Sequence, residues 1–165
     1  MDLDFATHLA LTDLKARYFA HLDAKEWDRM RDLFTPDAVF EGYAFEAAGR
    51  DGFIATVSEF LADVRSHHQG FLPRYKVVAP GEVRAVWRMR DYLTWAPDSR
   101  VYKGIEVPGM CGIEGYGQYE DVYTLTPGGW RISFSRLART RIDALTVPRI
   151  TPDYHLTAPD GRWLT

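Results

Sequence analysis

The sequence predicts an α+β fold, and three observations predict it. The first third spaces its apolar residues for helices. The second half spaces them at period two, and the change comes near residue 75. Turn-forming residues separate the period-two segments. A strongly curved, mixed and mostly antiparallel sheet wrapped over three N-terminal helices makes a cone with a pocket inside it.

The first helix is expected over 7–22, where Leu11, Leu14, Tyr18 and Leu22 form one apolar stripe. Asp23-Ala-Lys-Glu26 has the form of a capping box opening a second helix, with Trp27, Met30, Leu33 and Phe34 facing inward. Thr35-Pro36-Asp37 is expected to break that helix, and residues 38–42 to form a short strand. A third helix begins at Gly49-Arg-Asp51, buries Ile54, Val57, Phe60, Leu61 and Val64, and is expected to end near Ser66-His67-His68-Gln69-Gly70. Strands follow over 75–78, 82–95, 115–126 and 130–141, with a hairpin turn at Thr126-Pro-Gly-Gly129. The Pro- and Gly-rich stretch 96–112 is expected to be a loop. One domain is expected over residues 1–145, and an extended tail over 146–165 that covers the pocket or a partner subunit.

A chain of 165 residues with 46% apolar content fits one domain with a real core. Aromatics reach 14%, which suits either a ligand pocket or a well-filled core. The net charge is −3, and the basic run Arg136, Arg139, Arg141 is short and interleaved, so nucleic acid is not an expected partner. No apolar run reaches the roughly 18 residues of a membrane span. The N-terminus has early acids and no basic leader, so a signal peptide is not expected. A single cysteine, Cys111, suits a reducing cytoplasm, where the protein is expected to reside. Cys111 has no base near it in sequence, and no phosphate-binding glycine motif or nucleophile elbow occurs.

Asp91 carries the most information. Its strand places Ala85, Trp87, Met89, Asp91 and Leu93 on one face, so period two puts a carboxylate on the apolar side. Such a group needs a partner or a raised pKa, unless a bulge returns it to solvent. His67 and His68 suit proton transfer near neutral pH, or a helix C-terminus. Two adjacent histidines without further ligands make a weak metal site, and neither metal nor organic cofactor is expected. Tyr18 lies on the apolar stripe, as a core residue or as a donor to substrate. Asp23 is either a cap or a catalyst. Arg139 shares its strand parity with Ser133, Ser135 and Leu137, while Trp130, Ile132, Phe134 and Ala138 hold the other; either face fits the core.

Together these residues resemble a known family. Leu14-Lys-Ala-Arg-Tyr18-Phe-Ala-His-Leu-Asp23-Ala-Lys-Glu-Trp27-Asp28, His68-x-Gly70-x-x-Pro73, Trp87-x-Met-x-Asp91, Gly115-Tyr-Gly-x-Tyr119-x-Asp121-x-Tyr123 and Gly129-Trp130-Arg-Ile132 resemble SnoaL-like proteins of the nuclear-transport-factor-2-like superfamily. The pattern is most similar to that of bile acid 7-alpha-dehydratases. The resemblance implies a cone-shaped α+β barrel without a cofactor, as a homo-oligomer (dimer or trimer). It implies Tyr18, Asp23, His68, Asp91 and Arg139 as catalytic residues. Trp87, Met89, Tyr116 and Leu137 are expected to contact a small apolar substrate.

The function expected is a dehydratase acting on a hydroxylated ring compound such as a steroid or polyketide. Here His68, oriented by Asp91, removes a proton beside a carbonyl or thioester. Tyr18, supported by Asp23 or Arg139, donates to the leaving hydroxyl or steadies an enolate. Double-bond isomerisation with the same residues, or ligand binding without catalysis, are the alternatives.

Overall fold

The computed structural model describes residues 3–148, 156–160 and 162–164. Residues 149–155, 161 and 165 of the tail expected over 146–165, and with them its expected covering of a pocket, lie outside these residues. Helix α1 spans Phe5–Ala24 and starts where the Asp4 carboxylate accepts the Thr7 N–H. Its stripe of Leu11, Leu14, Tyr18 and Leu22 is buried as the spacing predicts, each apolar side chain contributing about 1.5–3 kcal/mol. Helix α2 is Trp27–Arg31, β1 is Phe34–Glu41 and α3 is Gly49–Phe60. Strands β2 (Arg65–Ala79), β3 (Glu82–Thr94), β4 (Gly112–Thr126) and β5 (Gly129–Leu145) complete the domain. The sheet order is β1-β5-β4-β3-β2, with β1 parallel to β5 and the other pairs antiparallel. The fold is therefore the expected α+β arrangement of three helices and one mixed, mostly antiparallel sheet, and the hairpin at 127–128 forms as predicted.

Three local expectations are corrected. Asp23 does not cap α2; it lies in the last turn of α1, and α2 has Glu26 at its N-cap with no side-chain cap bond. Residues 35–37 do not break a helix but belong to β1, because α2 stops at Arg31. Helix α3 does not reach residue 66. Lys25, left-handed at the C-cap of α1, sends its ammonium to the carbonyls of Leu61 (2.5 Å) and Val64 (2.8 Å). Those carbonyls find their donor in a side chain, so the helix ends and β2 begins at Arg65. His67 and His68 thus lie on a strand and point to opposite faces.

Two bulges in β5 decide which side chains face the helices. The register with β4 shifts at Ser133 and again at Thr140. Each shift reverses the parity. Ile132 faces inward before the first bulge, and Ser135, Leu137 and Arg139 face inward after it. Ile142 and Ala144 pack on the core after the second.

Candidate active site

A cavity lies between α1, α3 and the concave sheet face. Its polar wall brings together Tyr18, Tyr43, His68, Tyr102, Tyr119 and Arg139. Its apolar wall includes Leu22, Phe45, Phe53, Phe60 and Leu137. The volume is ≈ 40 Å³, far below the roughly 300–1,000 Å³ of pockets that hold a ligand. The aromatic side chains of Tyr43, Phe45, Phe53 and Phe60 are part of its lining.

His68 comes to this cavity on β2, and Asp23 meets it from the end of α1. The His68 ring Nδ1 lies 2.6 Å from Asp23 Oδ1, and the His68 backbone N–H donates to Asp23 Oδ2 at 2.8 Å. Ser66 Oγ donates to Oδ1 at 2.9 Å. Burial alone raises the Asp23 pKa, but the His68 bonds and the Ser66 bond outweigh it and hold the carboxyl below its ordinary value. The carboxylate fixes the ring through Nδ1, which leaves Nε2 as the nitrogen available to a ligand. The His68 side chain is 7% exposed, whereas His67 faces outward at 67%.

Asp91 faces inward, fully buried, as the period-two argument predicts. The expected His68–Asp91 bond is corrected, however. Arg139 grips Asp91 with both terminal nitrogens, Nη1 at 2.6 Å to Oδ1 and Nη2 to Oδ2. Burial works against the guanidinium charge, but the Asp91 bonds and charge overcome it and push its pKa up. The physical reason is chain geometry. The first bulge, at Ser133, turns Arg139 inward, opposite Gly117, and Gly115, opposite Asp91, has no Cβ to block the guanidinium. Among the described residues no hydrogen-bond partner meets the buried Arg139 Nε–H, and the guanidinium lies beside Tyr102.

Of the expected substrate contacts, Leu137 lines the cavity. Trp87 and Met89 are buried on the inner face but outside the cavity lining, and the Trp87 indole N–H donates to Tyr123 Oη at 3.0 Å. Tyr116 faces the other side of the sheet, between Arg90 and Arg141.

Four further residues, Lys15, Tyr43, Asp121 and Ser135, have no site role in the sequence-based expectation. Lys15 is fully buried, with Nζ 2.8 Å from Asp121 Oδ2 and 3.9 Å from the Tyr119 ring centroid. Desolvation lowers its pKa, and Asp121 opposes the shift. Lys15 does sit four residues after Leu11 on the apolar stripe. Asp121 shares the parity of Tyr119 and Tyr123. The argument that singled out Asp91 applies to both. Tyr43 stands on an irregular segment after β1, where no periodicity marks it.

Among the described residues no group of three or more His, Cys, Asp or Glu could hold a metal ion, and no helix is long and apolar enough to cross a membrane. Residues 4–136 match the SnoaL-like domain. No curated protein matches the chain in sequence. Among solved structures, a type 2 hexachlorocyclohexane dehydrochlorinase superposes with a TM-score of 0.73 at 16% identity, over 90% of this chain and 95% of that one. A Novosphingobium aromaticivorans protein assigned as a scytalone dehydratase gives 0.68 at 22%, over 92% and 96%. A function-unknown protein from Mycobacterium tuberculosis gives 0.63 at 24%, over 84% and 79%. These identities carry the fold.

Proposed function

The chain belongs to the SnoaL-like domain family, and on that premise we propose that it is a cofactor-independent lyase that eliminates water from a small hydroxylated ring compound. The Asp23–His68 pair at the wall of an aromatic cavity carries this proposal. A neutral imidazole held through Nδ1 presents Nε2 as a base, and Asp23 stabilises the imidazolium that follows. Arg139 is the electrophilic partner. Its unpartnered Nε–H is a donor for a substrate carbonyl oxygen on which charge grows as the proton leaves. Tyr18 is a hydrogen-bond donor rather than a proton source. Burial pushes its hydroxyl well above its ordinary pKa, so a phenolate is unfavourable there. In the proposed cycle the proton passes from carbon to His68 and then to the departing hydroxyl, which leaves as water. The C–H electron pair becomes the new double bond, and Tyr18 keeps its hydrogen.

The names of the structural neighbours, a dehydrochlorinase and a dehydratase, support elimination as the reaction class. The positions of Tyr18, Asp23, His68, Asp91 and Arg139 in the pattern of bile acid 7-alpha-dehydratases support water as the leaving group. A steroid- or polyketide-sized ring requires the cavity wall that includes Phe45 and Phe60 to open. The test is a thermal-shift screen of hydroxylated steroids and aromatic polyketides, since a ligand bound only by the native state raises its apparent stability. Each hit is then incubated with the protein. A product lighter by one water supports the proposal. A product of unchanged mass marks isomerisation, and hits with no product mark a binding protein.

A further inference from the structure

Two tyrosine hydroxyls at the cavity end a chain of hydrogen bonds that begins in the core, and donor chemistry fixes its direction. The Trp87 indole N–H can only donate, and it donates to Tyr123 Oη. Tyr123 therefore gives its own hydrogen to Asp121 Oδ2, at 3.0 Å. The Lys15 ammonium lies at the same oxygen. Ser135 Oγ donates to the other oxygen, Asp121 Oδ1, at 2.8 Å. A serine hydroxyl has one hydrogen, so towards Tyr43, 3.1 Å away, Ser135 accepts and Tyr43 donates. Tyr43 has then committed its hydrogen to the core and offers the cavity only a lone pair. Tyr18 Oη stands 3.4 Å from Tyr43 Oη, longer than the roughly 2.7–2.8 Å of a strong O–H···O bond. The Tyr18 hydroxyl also has Tyr119 as a neighbour, so a ligand oxygen competes with these two phenols for its hydrogen.

We propose that Tyr18 and Tyr43 form a reciprocal clamp for a substrate hydroxyl, in which Tyr18 donates to the substrate oxygen and Tyr43 accepts the substrate's hydrogen. Lys15, Asp121 and Ser135 are positioning residues that fix which tyrosine donates. An alcohol satisfies both hydroxyls. A ketone or a halide accepts from Tyr18 but sets its own lone pairs against that of Tyr43, and a buried polar group without its partner is the strongest basis for discrimination. The clamp rests on the lyase proposal for its role in turnover and names the leaving group that proposal takes.

The test compares binding of cyclohexanol and cyclohexanone, two rings of similar size and polarity, by ligand-observed NMR. In Ser135→Ala the Tyr43 hydrogen is released, and the alcohol-to-ketone affinity ratio falls roughly tenfold. Ser135→Thr restores the hydroxyl and the ratio. Tyr43→Phe leaves Lys15, Asp121 and Ser135 in place and lowers the ratio as well, which covers the case that Ser135→Ala fails to fold. A ratio unchanged in Ser135→Ala and Tyr43→Phe, with both affinities moving together, overturns the clamp. So does failure of both probes to bind the wild-type protein. The ratio is read without turnover, so it stands or falls separately from the lyase chemistry.

Discussion

His68 and Asp91 stand directly opposite each other across the β2–β3 ladder, on the same inner face, and bond to different partners. His68 turns to Asp23 on α1, and Asp91 turns to Arg139 on β5. One carboxylate holds the imidazole and the other holds the guanidinium. The two pairs divide the cavity wall into a basic end and a cationic end.

Breaking the Asp91–Arg139 pair leaves a buried charge alone. Arg139→Met is expected to lose about 3–5 kcal/mol of stability, and Asp91→Leu combined with Arg139→Met to recover most of it. Urea unfolding of the two variants checks this. A double variant no more stable than Arg139→Met alone would mean that the pair is not a unit.

Gly115→Ala tests the same pair from the neighbouring strand. A Cβ there runs into the Arg139 guanidinium and Asp91 Oδ1. The expected loss is about 1–3 kcal/mol, the usual result of overpacking. A stability equal to wild type would show that Arg139 has another equally good place to go.

Asp23 gives a signed pH dependence. Its folded pKa is lowered, so its bonds to β2 contribute stability above the unfolded value of about 4, and the contribution is lost as pH falls through the folded value. Asp23→Asn is expected to lower stability at neutral pH and to make the acid limb of the stability–pH curve shallower. Urea midpoints measured from neutral pH to about pH 3 read both effects.

Cavity size has its own test. Phe45 and Phe60 line the cavity and are in ring contact with each other. Phe60→Ala is expected to cost about 3–5 kcal/mol at most, less where the site collapses, and to admit larger ring ligands than the wild type in the thermal-shift screen. An unchanged ligand range would place the size limit elsewhere.

The helix-to-strand switch, the hairpin at 127–128 and the buried face of β3 were legible because each rests on periodicity within one segment. Asp91 is the clearest case, since six alternate positions from Val83 to Leu93 are buried. Its partner was not legible. The two bulges in β5 reverse parity twice within eight residues, and no local signal at Ser133 or Thr140 announces them. The end of α3 is not legible for a similar reason, because Lys25, distant in sequence, bonds the carbonyls just beyond it. Asp23 fits a cap by sequence alone, and only the folded chain brings β2 beside it. Tyr43 belongs to a segment with no period, and only the folded chain brings it to Tyr18 and Ser135.

The central claim is that His68, held by Asp23, is the base of an elimination. The direct measurement is the initial rate of water loss from a hydroxylated ring substrate by the wild-type protein and by His68→Ala, followed by product mass. The account predicts a rate at least about 10²-fold lower in His68→Ala, with ligand binding retained. Near-normal water loss in a folded His68→Ala protein would contradict it.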